Sequence, residues 1–311
     1  MCAIFGVLDY GGTLEPAQRF CMVRTLGIAS EVRGTDATGI AYFQRDKLCI
    51  QKAPKPAHKM KYRIPGEVRY IMGHTRMTTQ GNANENQNNH PFPGKAGSQK
   101  FALAHNGVLT NDQELHFSEN LPKSNIKTDS FVAVQLIEKQ KEVSFQSLKT
   151  MAEKVQGSFT FTILDQDNDI YFVKGENPLT IYHYPELGFY LYASTVEILD
   201  YALLYLDMDE VVPEIIRLEC GEILRIDSQG KLEKSSFQLL NDPYGFSPWV
   251  TFNSLPRKNK STHSHVTQQE YLKAIKTVAV FHGFEADFID GLLTDGYTID
   301  DIEDMSYCRR G

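Results

Sequence analysis

The strongest constraint on the fold is a series of short β-rich segments between residues 158 and 237, separated by turns. The segments SFTFTILD, DIYFVK, TIYHY, GFYLYAS and GEILRID are interrupted by one predicted helix near 196–206. Connections this short are typical of antiparallel strands. Further strands are predicted at 2–8, 38–44, 48–52, 69–74 and 100–105, and further helices at 16–30, 129–140 and 145–155. The sequence therefore predicts an α+β fold.

The pattern changes near residue 241. Residues 241–265 contain three prolines and a basic patch, which predicts a linker. Helical periodicity resumes at Thr267, and residues 284–304 contain eight acidic residues and no basic one. We therefore predict a main domain over 1–240, a linker over 241–265 and a small acidic helical extension over 266–311. A solvated helix face explains the acidic stretch, and docking on a basic partner surface is the alternative.

Charge and composition exclude several classes of protein. The 311 residues carry a formal net charge of −7, which argues against a nucleic-acid binder. The chain has no run of eighteen apolar residues, so no membrane helix is expected. Its five cysteines are scattered, without a CxxC pair or a cysteine–histidine cluster, which indicates reduced thiols in the cytoplasm and no metal site. No nucleotide-binding motif follows residue 240, and no cofactor is expected.

Cys2 directly follows the initiator methionine and opens the first predicted strand. A buried cysteine is one explanation, because free cysteine packs well in apolar surroundings. The functional explanation starts from removal of Met1, which leaves Cys2 with a free α-amine that titrates near ~7.7–8.0 and lies a few bonds from the thiol. One residue would then supply both a nucleophile and its general base.

Two charged residues are candidates for binding an amino acid. Arg76, at the end of a predicted strand, has a planar guanidinium suited to two hydrogen bonds with a carboxylate, and a surface ion pair explains it equally well. Asp129 stands at the predicted start of a helix, where acidic residues commonly act as caps. It could instead hold an ammonium group.

Asn106 and Gly107 follow the strand predicted at 100–105. An Asn-Gly pair is typical of a tight turn. The functional alternative is an oxyanion hole, made by the Asn amide and by a glycine N–H that no side chain obstructs. Together with Cys2, Arg76 and Asp129, this pair fits an amide that carries an α-amino-acid head, which is glutamine.

Six segments together resemble the class II glutamine amidotransferases, whose glutaminase domain is an N-terminal nucleophile hydrolase. They are MCAIFG at 1–6, RGTDATG at 33–39, HTRMTTQG at 74–81, NHPF at 89–92, AHNG at 104–107 and TD at 128–129. The resemblance implies a four-layer α-β-β-α sandwich over about residues 1–240, followed by the helical extension.

The resemblance also implies roles for the site residues. Cys2 would attack the glutamine side-chain amide with its own amine as base, forming a thioester that water hydrolyses. Asn106 and Gly107 would hold the oxyanion, Arg76 the substrate carboxylate and Asp129 its ammonium group. The implied catalytic residues are Cys2, Asn106 and Gly107, and the implied substrate-binding residues are Arg33, Arg76, Met77, Thr79 and Asp129.

Three residues depart from the family's pattern: Ala3 replaces a usual glycine, Met77 a frequent aromatic residue and Gln80 a histidine of some members. Related synthases carry a large acceptor-binding domain after this one, and no motif of such a domain occurs beyond residue 240. We therefore expect a stand-alone glutaminase that acts on glutamine and supplies ammonia to a separate synthase. The sequence leaves the oligomeric state open.

Two other hypotheses stay open at this point. The first is an N-terminal cysteine hydrolase that acts on another amide or on a peptide, although such an enzyme does not need both Arg76 and Asp129. The second is a non-catalytic regulatory or scaffold protein of the same fold, which retention of Met1 would favour.

Overall fold

The computed structural model describes residues 2–206, 208 and 211–239, so the linker predicted at 241–265 and the extension predicted at 266–311 lie outside the described residues. The strands are β1 (Ala3–Leu8), β2 (Ala37–Gln44), β3 (Lys47–Ala53), β4 (Tyr70–Arg76), β5 (Phe92–Ala96), β6 (Gln99–Leu109), β7 (Gly157–Asp165), β8 (Ile170–Lys174), β9 (Thr180–Tyr184), β10 (Phe189–Ala193), β11 (Glu214–Ile216), β12 (Glu222–Ile226) and β13 (Leu232–Ser236). The helices are α1 (Pro16–Ala29), α2 (Asp112–Ser118), α3 (Phe131–Gln140), α4 (Phe145–Ala152) and α5 (Val196–Tyr205). None of these helices is long and apolar enough to cross a membrane.

These strands form two antiparallel sheets. Across the described residues, the first sheet has the order β11-β9-β10-β1-β4-β2-β3 and the second has the order β13-β12-β8-β7-β6-β5. In the first sheet Ala3 pairs with Thr75, and Ala37 pairs with Arg76. The start of β1, the end of β4 and the start of β2 therefore lie side by side.

Strand β1 shows why the N-terminal run is apolar at nearly every position. Ala3, Phe5 and Val7 pack on one face, in a cluster with α1 and α5, while Ile4 and Leu8 pack on the other face, between the sheets. Burying one such large apolar side chain contributes roughly 1.5–3 kcal/mol. A strand that is buried on both faces needs an unbroken apolar run, which is the pattern from which it was predicted.

The packing produces four layers. Helices α1 and α5 cover the outer face of the first sheet, and α3 and α4 cover the outer face of the second. The cluster between the sheets includes Ile4 and Met72 from the first sheet and Phe172 and Leu224 from the second. The order is α-β-β-α, and the predicted α+β sandwich is confirmed.

The structure differs from the predicted elements in three places. The prediction of a turn at Asn106-Gly107 is wrong, because β6 continues to Leu109 and both residues pair with β7. Residues 78–97 are dense in Asn, Gln, Gly and Pro, a composition that predicts a long loop, but the segment ends in strand β5. Helix α2 and strands β11 and β13 are missing from the prediction because they are too short or too polar to show a clear period.

Candidate active site

Cys2 lies at the start of β1 and is only 8% exposed. Its thiol donates a hydrogen bond to the Met77 carbonyl oxygen at 3.5 Å, and its own carbonyl oxygen accepts one from Arg33 Nε at 2.8 Å. Burial raises the pKa of the thiol, while the charge of Arg76 acts to lower it and the charge of Asp129 acts to raise it. The resting thiol is therefore neutral and needs a base before it can attack.

A loop after α1 holds the segment that follows β4 against the start of β1. Gly34 lies so close to the Arg76–Met77 peptide that a Cβ would come within 2.4 Å of the Arg76 carbonyl carbon. Asp36 donates its backbone N–H to Arg76 O at 2.9 Å and accepts the Thr78 N–H on its carboxylate at 2.7 Å. The RGTD segment thus positions the end of β4.

Arg76 is the last residue of β4 and is buried. Its Nη1 donates to Asn89 Oδ1 at 2.6 Å, and its Nη2 donates to the Gln80 carbonyl oxygen at 2.5 Å. Burial lowers the pKa of the guanidinium, and the charges of Cys2 and Asp129 act to raise it. A guanidinium has five N–H donors, so donors beyond these two bonds are available to a carboxylate.

Asp129 lies just before α3 and is buried. Its Oδ2 accepts the Leu109 N–H of β6 at 2.6 Å, and its Oδ1 accepts the Ser130 hydroxyl at 3.4 Å. The N-cap position of α3 belongs to Ser130, which makes no side-chain capping bond. The Asp129 carboxylate therefore faces β6 rather than the first turn of its own helix.

Asn106 is buried in β6 and contacts the first sheet through Ser194. Its Nδ2 donates to Ser194 Oγ at 3.3 Å, and the same oxygen accepts the Ile4 N–H at 2.9 Å. The Asn106 carbonyl oxygen accepts Asn177 Nδ2 at 2.8 Å. Asn106 Oδ1 is buried and has no partner among the described residues. The amide thus lies beside β1, two residues along the strand from Cys2, with part of its hydrogen-bonding capacity unused.

Gly107 occupies a position that excludes a side chain. Its φ is 149°, and a Cβ would come within 2.0 Å of the Ser158 carbonyl oxygen. Two residues before Gly107, the His105 carbonyl oxygen accepts a hydrogen bond from His74 Nε2 at 3.0 Å. Two residues after Gly107, the Leu109 N–H donates to the Asp129 carboxylate, which lies outside β7. Alternate residues of a strand present backbone groups to the same edge. The Gly107 N–H is therefore expected on the edge that faces away from β7.

Met77 and Thr79 lie in the segment after β4. The Met77 side chain is 51% exposed, and its carbonyl oxygen accepts the Cys2 thiol. Thr79 is exposed two residues further along. The structure therefore places Met77 and Thr79 on the solvent side. The other predicted site residues lie in or around one buried site: Cys2, Arg33, Arg76, Asn106, Gly107 and Asp129.

Gln80 is a residue of the site that the sequence marks only as a departure from the family's pattern. Its carbonyl oxygen accepts Arg76 Nη2, and its side-chain Oε1 accepts the Asp129 N–H at 2.8 Å. Gln80 thus fixes the position of Arg76 relative to Asp129. Ser194 links Asn106 to β1; residues 193–195 resemble a later strand position of the same family, but the sequence assigns Ser194 no role.

Three histidines are buried next to the site. The His74 and His90 ring centroids are 4.3 Å apart, and those of His90 and His105 are 6.4 Å apart. Burial lowers the pKa of His74 to about 3, that of His105 to about 4, and that of His90 well below its usual value. All three are uncharged at neutral pH. Among the described residues, no group of His, Cys, Asp and Glu is arranged to hold a metal ion.

Known proteins are similar to this chain over part of its length. A family described as "Glutamine amidotransferase domain" matches residues 74–201. Glutamine–fructose-6-phosphate aminotransferase of Streptococcus agalactiae is 32% identical over 192 residues, which cover 58% of this chain and 30% of that protein. The enzyme of the same name from Thermococcus kodakarensis is 27% identical over 246 residues, which cover 75% of this chain and 39% of that protein. The chain thus spans well under half the length of these relatives.

A solved structure with the same fold is glutamine phosphoribosylpyrophosphate amidotransferase from B. subtilis, with a TM-score of 0.59 and 21% identity over 77% of this chain and 50% of that one. At this identity the likeness concerns the fold. Together with the matched domain and the relatives in sequence, it shows that the chain carries a class II glutamine amidotransferase domain with the N-terminal nucleophile hydrolase fold. The similarity supports hydrolysis of the glutamine side-chain amide as the activity of this domain.

Proposed function

We propose that this domain hydrolyses the side-chain amide of glutamine with Cys2 as the nucleophile. The observation that carries the proposal is the register of β1 and β4, which sets Cys2 beside Arg76, while the charge of Asp129, in the segment just before α3, acts on the same thiol. In the proposal, Arg76 binds the substrate carboxylate and Asp129 binds its ammonium group. An amino acid held at its head in this way directs its side chain toward the thiol.

The reaction requires a base for a neutral thiol. Removal of Met1 gives Cys2 a free α-amine, which takes the thiol proton as sulfur attacks the amide carbon. When the tetrahedral intermediate collapses, the C–N bond breaks and the α-ammonium returns the proton to the departing nitrogen, which leaves as ammonia. Water then hydrolyses the thioester, which releases glutamate and restores the thiol. Arg33 holds the Cys2 carbonyl throughout.

Asn106 and Gly107 are the proposed oxyanion donors. Ser194 Oγ now accepts from both Ile4 N and Asn106 Nδ2, while Asn106 Oδ1 has no partner among the described residues. Turning the amide by 180° lets the Ser194 hydroxyl donate to Oδ1 and frees Nδ2 for the oxyanion. Such a donor lowers the barrier by about 2.7–4 kcal/mol.

The test measures glutamate release from glutamine by protein whose intact mass shows that Met1 is gone. We expect turnover by the unmodified chain and none by Cys2→Ala. Cys21→Ala, which alters an exposed cysteine of α1, is the matched control and should retain full activity. Absence of turnover from correctly processed protein contradicts the proposal. Faster cleavage of a peptide or an N-acyl amide than of glutamine assigns the thiol to another substrate.

We further propose that the ammonia is used by a synthase on a separate polypeptide. The support is that the shared region covers only 30–39% of the aminotransferase relatives, so the rest of each relative lies outside the similarity. The test is affinity purification of the full chain, followed by glutamate release with and without each co-purifying protein. A partner that consumes the ammonia supports the proposal, and release of all ammonia to solvent in the presence of every co-purifying protein contradicts it.

A further inference from the structure

A groove of about 930 Å³ lies beside β3, the edge strand of the first sheet. Its walls come from β3, the segment that follows β3 as far as Arg63, Asn86 and Gln87 of the loop after β4, and Pro93 of β5. Sites for small molecules commonly have volumes of about 300–1,000 Å³ and are concave. The groove is therefore of suitable size for a metabolite.

The polar part of the groove is strongly basic. Its lining includes five cations and no carboxylate: Lys52, Lys55, Lys59, Lys61 and Arg63. Residues 47–66 contain six Lys and Arg residues and no acidic residue, although the whole chain has a net charge of −7. Within the described part of the chain, none of the five cations forms an ion pair with a carboxylate. A concave cluster of unpaired cations raises the local concentration of anions.

The rest of the groove is apolar and its frame is hydrogen-bonded. Apolar side chains of the lining are Ile50, Met60, Pro93 and Ile126. Tyr42 donates its hydroxyl to Arg63 O at 2.9 Å, and Gln51 accepts the Arg63 N–H on Oε1 at 2.9 Å. These bonds fasten the backbone of Arg63 to β2 and β3. A ligand of this groove thus meets cations on one part and an apolar surface on another.

Lys52 connects the groove with the glutamine site. Its Nζ donates to Asn89 O at 2.5 Å and to Pro91 O at 3.2 Å, and the Asn89 side chain in turn accepts Arg76 Nη1. Burial, together with the charge of Arg76, lowers the pKa of Lys52 to about 8. An anion beside Lys52 would favour its charged form.

We propose that this groove binds a phosphorylated small molecule, with its phosphate on the lysines and Arg63 and its organic part on the apolar wall. Binding acts on Arg76 through Lys52 and Asn89, and so changes the affinity for glutamine. The effect on glutamine affinity rests on the proposed function, whereas binding of the phosphorylated molecule does not. Lysines on an exposed edge strand also prevent edge-to-edge pairing, and the experiment must separate that role from ligand binding.

The test is calorimetric titration of the full chain at constant ionic strength with inorganic phosphate, ribose 5-phosphate and AMP. Lys59→Gln/Lys61→Gln removes two charges from the groove. Lys95→Gln/Lys123→Gln removes two charges from exposed positions outside its lining and is the matched control. We expect ribose 5-phosphate or AMP to bind at least tenfold more tightly than inorganic phosphate, because only these ligands can use the apolar wall. The groove variant should raise that Kd at least tenfold, and the control less than twofold.

Three results overturn the proposal: no binding of any probe, equal affinity for inorganic phosphate and the organic phosphates, or equal weakening in both double variants. The last result describes a general charge effect. The coupling is read separately, as the KM for glutamine with and without the tightest probe. We expect at least a twofold change in KM, absent in Lys59→Gln/Lys61→Gln. Binding without any glutamine turnover leaves the groove assigned and contradicts only the proposed function, whereas turnover without binding does the reverse.

Discussion

The two sheets contribute to the site at different positions along their strands. In the first sheet, Cys2 and Arg76 lie at the adjoining ends of β1 and β4, where the chain enters or leaves the sheet. In the second sheet, Asn106 and Gly107 lie inside β6, paired with Thr160 and Phe159 of β7. Residues at strand ends continue into loops that can adjust to a ligand. Oxyanion donors act by being held in place before the reaction, which the interior of a sheet provides.

Hydrogen bonds join these two sets of groups. Ser194 links β1 to Asn106, and His74 of β4 bonds to the carbonyl oxygen of His105 in β6. Gln80 links the end of β4 to Asp129. If Arg76 of the first sheet binds the substrate while Asn106 of the second stabilises the oxyanion, substitutions of these two residues must affect KM and kcat differently.

Among substitutions that keep the nucleophile, the largest effect is expected from Asn106→Ala, on the second sheet. It removes a proposed oxyanion donor and leaves Arg76 and Asp129 unchanged. We expect kcat for glutamate release to fall by about 10²–10³, about 2.7–4 kcal/mol in the barrier, with little change in KM. Urea unfolding of the variant controls for loss of structure. A loss that resides entirely in KM would show that Asn106 binds substrate instead.

Arg76→Lys tests the first sheet. Lysine keeps the charge but loses the planar fork, and a hydrogen bond to a charged group is worth about 1.5–3 kcal/mol. We therefore expect KM for glutamine to rise by about 10–100-fold with kcat little changed. Arg69→Lys, an exposed arginine just before β4, is the matched control. An unchanged KM with a much lower kcat would mean that Arg76 acts on the thiol rather than on the carboxylate.

His74 lies where the two sheets are in contact, and its burial predicts that the protein loses stability in acid. Burial lowers the pKa of His74 to about 3, below the usual ~6.5. Between these values the unfolded chain binds more protons than the folded one, so the free energy of unfolding decreases as the pH falls. At about 1.4 kcal/mol per pH unit, His74 alone accounts for about 2 kcal/mol between about pH 6.5 and 5.

His74→Gln should lose this part of the pH dependence. The measurement is urea unfolding of the unmodified chain and the variant at several pH values between about 5 and 6.5. Asp165 acts in the opposite direction, because burial raises its pKa to about 7 and the folded state then binds the extra proton. The difference between the two slopes removes that contribution. Parallel slopes would contradict the prediction.

The smallest effect is expected from Ser194→Ala, which alters the link between the sheets without touching substrate. We expect kcat to fall about tenfold, about 1.4 kcal/mol, with KM unchanged, because the Asn106 amide loses its orientation. The double variant Asn106→Ala/Ser194→Ala should be no slower than Asn106→Ala alone, since Ser194 acts through Asn106. Additive losses would show that Ser194 contributes in some other way.

Local patterns predict most of the fold. The apolar run at 2–8 becomes β1, and helical spacing after Pro16 becomes α1. The turn predicted at Asn106-Gly107 does not form, because the preference of an Asn-Gly pair for a turn is local. Nine residue pairs with β7 hold β6 extended through both residues. A short-range preference of this kind is outweighed by pairing along a whole strand.

Local patterns also predict only part of the site. Cys2, Arg76 and Asp129 stand out because their chemistry depends on residue type. Gln80 and Ser194 do not, because their roles depend on partners 49 and 88 residues away, Asp129 and Asn106. No spacing along the chain indicates such a contact.

The sequence by itself determined the chemical groups of this domain and the order of most of its strands and helices, because residue type and local periodicity are enough for both. Which groups meet was decided only by the tertiary structure. Antiparallel register places Cys2 beside Arg76, and packing of the two sheets brings Asn106 and Asp129 toward them. These contacts join residues far apart in the chain, and burial then raises the pKa of the Cys2 thiol and lowers the pKa of Arg76, which residue type alone does not specify.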